Sequence, residues 1–285
     1  MPAKTIARRL LYLAEQRLQA LRYGSLPAPQ DGWPILLGIS FPKSGTHLLD
    51  QVLLGFSRVA PFALRLHSFY AEYEGESGEK RSEMQALQWL NALRPRDVAS
   101  AHLFSRPEVL RRVVTREFLA YFIYRDPRDV AVSHAFYVSD IASQHVHHDY
   151  YASLPDFPTR LTVSILGRPD AGIEFPNIAE RFGPYGGWLE RPEVMKIHFE
   201  DLVSDQNSTL RAIAHHLTRR VPLPASEARI VGALEASIDP GRSPTFRSGK
   251  TGEWRRYFTP QHCRLFKSVA GDLLIRLGYE TSNNW

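Results

Sequence analysis

The stretch that most constrains this chain is "ILLGISFPKSGTHLLDQVLLGF", residues 35–56. Its apolar run over 35–41 suits a strand buried on both faces, and the apolar spacing over 46–57 suits an amphipathic helix. Between them lies a tight polar turn, Pro42-Lys43-Ser44-Gly45-Thr46. A strand, a turn and a helix N-terminus in that order make an anion-binding corner, because the first helical N–H groups have no partner inside the helix. The residue order is unusual: the lysine precedes the glycine, whereas a nucleoside-triphosphate loop ends Gly-Lys-Ser/Thr. Lys43 supplies a mobile positive charge, Ser44 and Thr46 supply hydroxyls, and Gly45 turns the backbone where a side chain would obstruct it.

Further strands are predicted at "DVASAHLF" (97–104), "FLAYFIYR" (118–125) and "EVMKIHFEDL" (193–202). Helical patterns alternate with them: one ends near Leu93, one restarts at Pro127, others run through about 236, and a last one covers 260–277. This alternation predicts an α/β fold of three layers, a central parallel β-sheet flanked by helices. Ligands of such sheets sit at the carboxyl ends of the strands, and the Lys43 turn is one such end. Residues 71–84 read as an exposed loop running into a helix, 140–190 as irregular chain, and "DPGRSPTFRSGKTGEW" (239–254) as a long basic loop.

Ahead of this region, residues 1–24 read as an amphipathic helix with Ile6, Leu10, Leu13, Leu18 and Leu21 roughly on one side. One reading packs that stripe on the domain; another rests a basic helix on anionic lipid. Residues 23–34, "YGSLPAPQDGWP", are a Pro/Gly-rich connector, so the chain divides into 1–34 and a main domain, 35–285. No run approaches the eighteen or so apolar residues that cross a bilayer. The single cysteine, Cys263, leaves no disulfide framework or cysteine-based zinc site and points to a reducing, cytoplasmic compartment. A net charge of +5 suits an anionic ligand, nucleic acid or a membrane face equally.

Two more segments carry cations and hydroxyls. Arg125 ends an apolar strand, and Ser133 lies two helical turns beyond it in "YRDPRDVAVSHAFY". "FRSGKTGEWRRYFT" carries Arg247, Lys250, Arg255 and Arg256 beside glycines that let backbone approach a ligand. Gly249-Lys250-Thr251 imitates the end of an ATP loop, but Pro244 stands where its first glycine belongs and no buried strand leads into it.

Taken together, "FPKSGTHLL", "YRDPRDVAVSHAFY", "HFEDL" and "FRSGKTGEWRRYFT" resemble, in order, the motifs of the cytosolic sulfotransferases, which use 3′-phosphoadenosine 5′-phosphosulfate (PAPS). The resemblance spans roughly 35–277 and implies a P-loop-like sulfotransferase domain. It implies that Lys43, Ser44, Gly45, Thr46 and His47 surround the 5′-phosphosulfate, with Lys43 at the bridging oxygen. It implies that Arg125, Ser133 and Arg247, with backbone around Ser248 and Gly249, hold the 3′-phosphate. Phe199 stands where the family has an adenine-contacting tyrosine, and Glu253 where it has an aspartate. His102 resembles the family's catalytic histidine, with Ser100 and Phe104 replacing a lysine and a proline of that setting. A histidine suits general-base work at neutral pH.

The implied reaction is sulfuryl transfer to a hydroxyl or amine of a small-molecule, lipid or glycan acceptor, without a metal. A P-loop nucleotide kinase lacks its lysine and magnesium aspartate here, and a nucleotide- or RNA-binding protein lacks an RNP motif. His145, His147, His148 and Asp149 cluster in "QHVHHDYY" without a partner motif for a metal. Tyr137, Tyr150, Tyr151 and Phe157 suit either an acceptor pocket or the core. The family's dimer motif survives only as Arg255…Thr259-Pro260, which leaves the oligomeric state open.

Overall fold

The computed structural model describes residues 3–24, 26, 32–70, 72, 77–168, 175–243 and 247–285. Among them five strands form one sheet: β1 (Ile35–Ser40), β2 (Leu66–Tyr70), β3 (Val98–His102), β4 (Phe118–Tyr124) and β5 (Met195–His198). Their order is β2-β3-β1-β4-β5, and every neighbouring pair is parallel. The first helices are α1 (Ala3–Tyr23), α2 (Thr46–Gly55), α3 (Glu83–Ala92), α4 (Pro107–Val113) and α5 (Pro127–Phe136). Then come α6 (His148–Ser153), α7 (Phe157–Leu166), α8 (Ile178–Phe182), α9 (Phe199–Ser204), α10 (Gln206–Thr218) and α11 (Glu227–Glu235). The chain closes with α12 (Trp254–Tyr257) and α13 (Pro260–Arg276).

Every residue of β1 and β4 is buried, as their unbroken apolar runs require of strands covered on both faces. The period of two then sorts side chains into two cores. Ile35, Leu37, Ile39, Phe118, Ala120, Phe122 and Tyr124 join the core on the α5, α7 and α13 side. Leu36, Val98, Leu119, Tyr121 and Ile123 join the core beneath α2, α10 and α11. On that second face Gly38 lets α2 come close: a Cβ there would stand 3.2 Å from Leu53 Cδ1 and 3.3 Å from Leu49 Cδ2.

The expected three-layer α/β architecture holds, with differences of detail. β2 was not expected; "LHSFY" has no apolar alternation, and it forms because β3 offers a parallel edge in register, Leu66 on Val98 through Tyr70 on His102. The strand expected over 193–202 is only Met195–His198, after which Phe199 starts α9. The stretch taken as irregular, 140–190, contains α6, α7 and α8, with Asp156 and Asn177 as N-caps. In the supposedly exposed loop 71–84, Glu72 is buried, pairs with Arg106 and accepts a hydrogen bond from the Phe104 N–H at 2.9 Å; residues 71 and 73–76 lie outside the described ones.

The N-terminal helix packs the other way round from the stripe reading. Gln19 Nε2 and the Tyr23 hydroxyl both donate to the Ser57 carbonyl at 3.3 Å. Leu13, Leu18 and Leu21 are 47%, 59% and 83% exposed, and the Ile6 and Leu10 side chains lie outside the described ones. Among the described residues, no helix is long and apolar enough to cross a membrane.

Candidate active site

From β1 the chain builds β2 and β3 on one side of the sheet, then crosses back to build β4 and β5 on the other. Loops therefore diverge at the carboxyl ends of β1, β3 and β4, which opens a crevice at that switch point. Lys43 follows β1, His102 ends β3 and Arg125 follows β4. A cavity of about 920 Å3 lies there, and all three residues line it.

The turn after β1 is tight. Lys43 has φ 68° and Gly45 φ 96°, both in the left-handed region; for a lysine that conformation is strained, and such strain concentrates at functional sites. Gly45 is required twice over, since a Cβ on it would stand 2.5 Å from Phe199 Cδ2. Gly45, Thr46 and His47 face the cavity with Lys43, and the Thr46 hydroxyl lies 2.9 Å from Ser40 Oγ. Ser44 does not line the cavity; its side chain is buried, with an Oγ that has no hydrogen-bond partner in the chain.

Lys43 Nζ lies 3.8 Å from the centre of the Tyr137 ring. Burial, then the charges of Arg125 and Arg247, push its pKa down to about 7. Those two arginines come from segments far apart in sequence. Arg125 donates to the Lys250 carbonyl at 2.7 Å, sits 4.5 Å over the Phe199 ring, and leaves a buried Nε without a partner. Asp129, one helical turn later, accepts from the backbone N–H groups of Gly252 at 2.7 Å and Trp254 at 2.8 Å. That carboxylate folds the basic loop back onto α5. Arg247 then lies 4.6 Å over Phe136 and pairs with Glu253, which also accepts from the Ser248 hydroxyl at 2.6 Å.

Ser133, Phe199, Arg247, Ser248 and Gly249 all line the cavity, so these expected residues do converge. Lys250, Arg255 and Arg256 are exposed and do not line it, and residues 244–246 lie outside the described ones. Arg128, in the same "RDPRD" run, is structural: buried between Trp254 and Trp285, it pairs with Asp126 and Glu280.

His102 is held from behind. Its Nδ1 lies 2.9 Å from the Ser40 carbonyl oxygen and 3.1 Å from Ser40 Oγ. A carbonyl only accepts, so Nδ1 carries the proton and Nε2 carries the lone pair of the neutral ring. Burial lowers the pKa to about 4, the Ser40 carbonyl opposes that, and Lys43 and His47 lower it further. At neutral pH the imidazole is therefore the neutral ring, protonated on Nδ1 alone.

The histidines of that cluster take different surroundings, although the His145 and His147 rings stay 5.6 Å apart. His145 faces the cavity, the His147 ring packs against Phe175, and His148 Nδ1 contacts the Val138 carbonyl at 2.8 Å. The aromatics divide as well: Tyr137 lines the cavity, Tyr151 is buried beside Ala135 and Val138, and Phe157 stacks on Phe136. Sequence reasoning missed Asp129, which lies in the first turn of α5 and pairs with Arg125, the residue just before the helix N-cap, at 3.3 Å. It also missed Asp50, which lines the cavity from α2 and carried no motif signal.

Residues 35–278 match the family model described as the sulfotransferase domain. No curated protein sequence matches the chain. Among solved structures, mouse sulfotransferase SULT7A1 complexed with PAP superposes with a TM-score of 0.56 at 17% identity, covering 90% of this chain and 89% of that one. Retinol dehydratase in complex with androsterone and PAP gives 0.56 at 17% identity, covering 91% and 85%. The same enzyme with retinol and PAP gives 0.54 at 18% identity, covering 92% and 86%. At these identities the structural likeness is one of fold; with the match over 35–278, the chain belongs to the sulfotransferase domain family.

Proposed function

We propose that this protein moves a sulfuryl group from PAPS to a hydroxyl or amine of a small-molecule, lipid or glycan acceptor, with His102 as general base and Lys43 beside the leaving oxygen. The observation that carries the reading is the convergence of Lys43, Arg125 and Arg247 on one cavity that His102 also lines. Arg125 and Arg247 have carboxylate partners in Asp129 and Glu253. Lys43 has no such partner among the described residues, and its depressed pKa marks a place where an anion would restore the ammonium.

The residues suit a doubly phosphorylated nucleotide. Arg125, which lines the cavity, keeps a buried Nε without a partner among the described residues, and such an atom is costly unless a ligand or water satisfies it. Lys43, Ser44, Gly45, Thr46 and His47 would surround the 5′ end, and Arg125, Ser133, Arg247, Ser248 and Gly249 the 3′-phosphate. Phe199 would pack on the adenine. The PAP in the solved structures supports this reading, as do the alcohols androsterone and retinol for the acceptor.

When bound, the donor supplies the sulfuryl group. His102 Nε2 takes the proton of the attacking hydroxyl, and Lys43 offsets the charge that grows on the leaving phosphate oxygen. Sulfuryl transfer resembles phosphoryl transfer in depending mostly on positioning and charge stabilisation. Lys43 performs here the neutralisation that a divalent cation performs at a kinase site. Thermal shift tests the reading: adenosine 3′,5′-bisphosphate raises the melting temperature by mass action, and ATP with magnesium does so less. The reverse order would refute it.

Residues 35–285 form the transferase unit in this reading, and 1–34 are an appendage in contact with anionic lipid. The outward Leu11, Leu13, Leu18 and Leu21 favour that contact. The lone thiol, Cys263, fits a cytoplasmic setting. Co-sedimentation with anionic vesicles, with and without residues 1–24, tests the lipid contact; equal pelleting would end it.

A further inference from the structure

One carboxyl facing the cavity has no part in sulfuryl transfer as described. Asp50 lies one turn beyond His47 on α2 and lines the cavity while being only 6% exposed. Its Oδ1 has no hydrogen-bond partner among the described residues. Its Oδ2 is 3.8 Å from His47 Nδ1, and Ser100 hydrogen-bonds to the carboxyl. Burial and the charge of Lys43 lower the His47 pKa, so that imidazole is neutral at physiological pH. Among the described residues no cation holds Asp50 ionised, and burial pushes its carboxyl up to about 7. A buried carboxyl without a cation is unfavourable, and an apolar residue in that helical turn would pack without the penalty.

We infer that Asp50 selects the acceptor, receiving an ammonium group on a molecule whose hydroxyl is presented to His102. Ser100, Asp50's hydrogen-bond partner, lies two residues before His102 on the same face of β3, a spacing of roughly 7 Å along the strand, and both Asp50 and His102 line the cavity. The acceptor class is therefore a compact amino alcohol or aminophenol with its two polar groups at opposite ends. Ser68 and Ser100 line the same wall and add hydroxyls that an ammonium can donate to. The hydroxyl end rests on the sulfuryl-transfer reading; the ammonium end rests on Asp50 alone.

Tyramine and 4-propylphenol are the same phenol ending in an ammonium or a methyl. Each is titrated calorimetrically into the full chain saturated with adenosine 3′,5′-bisphosphate. Tyramine binds at least about tenfold tighter to the native protein, the size of a charge-assisted hydrogen bond. Asp50→Asn keeps the shape of the side chain and brings the two affinities within about threefold of each other. Equal affinities in the native protein, a preference that survives in Asp50→Asn, or no binding of either phenol each overturns the proposal. Turnover of the phenols with PAPS is measured separately. If tyramine binds through Asp50 yet no sulfated phenol forms, the sulfuryl-transfer reading fails and the Asp50 site stands.

Discussion

Nδ1 of His102 lies 2.9 Å from the main-chain oxygen of Ser40, and that contact settles which ring nitrogen can accept a proton. Ser40 ends β1 and His102 ends β3, two strands paired in parallel register from Leu36 on Val98 through Ile39 on Ala101. The sheet itself thus sets the tautomer of the His102 imidazole and keeps it next to the Lys43 turn.

Replacing His102 with Gln tests the proposed general base, since it removes the imidazole and keeps a polar group of similar reach. Turnover falls by about 10²–10⁴, the usual contribution of general-base catalysis. Affinity for adenosine 3′,5′-bisphosphate, measured by calorimetry, stays within about twofold, because the nucleotide is held by other residues. A parallel loss of both would make His102 a binding residue instead.

The pH dependence follows from Lys43. Its pKa is lowered to about 7, so the ammonium is present below that pH and lost as pH rises through it. In the free enzyme kcat/KM therefore declines on the alkaline side near pH 7, while His102, lowered to about 4, confines the acid limb to low pH. A bound polyanion favours the ammonium, so the alkaline limb of kcat lies at higher pH. Lys43→Arg keeps its charge throughout and removes the alkaline limb. A native profile flat from pH 6 to 9 contradicts the assignment.

Asp129 and Arg247 separate loop positioning from ligand contact. Asp129→Ala leaves the N–H groups of Gly252 and Trp254 without their acceptor, at about 1–3 kcal/mol for each buried group. The melting temperature and bisphosphate affinity fall together. Arg247→Ala weakens the bisphosphate by about tenfold or more, with a much smaller change in melting temperature, since its own ion pair is partly exposed.

Gly45→Ala combines two penalties: a left-handed backbone, roughly 1–2 kcal/mol, and overlap with Phe199. Phe199→Ala in the same chain removes the overlap and leaves the backbone term. Phe199→Ala has its own cost, because Phe199 is buried in the core, so the two are compared as a cycle: Gly45→Ala lowers the melting temperature less in the Phe199→Ala background than in the native chain. An equal loss in both backgrounds, or no loss in the Phe199→Ala background, would show that only one of the two penalties operates.

Much of this was legible because it is local. The buried runs of β1 and β4 and the strand-turn-helix at Lys43 each follow from a few consecutive side chains. The Lys43, Arg125 and Arg247 segments that meet at the cavity were legible as well, because cations and glycines at a strand end leave a pattern in neighbouring positions. β2 left none: a short polar edge strand draws its stability from its partner, so "LHSFY" looks like loop until β3 is beside it.

The site's assembly is a different matter. The sequence by itself determined which segments could bind an anion and which histidine could serve as base. Only the tertiary structure decided that Arg247 reaches Lys43, through an Asp129 carboxylate more than a hundred residues away in the chain. It also decided that His145 faces the cavity while His147 packs on Phe175 and His148 meets the Val138 carbonyl, and that, among the described residues, Asp50 stands there without a cation. The reason is physical: pKa values, tautomers and ion pairing depend on burial and on charges brought near through space, and neither is written in the order of residues along the chain.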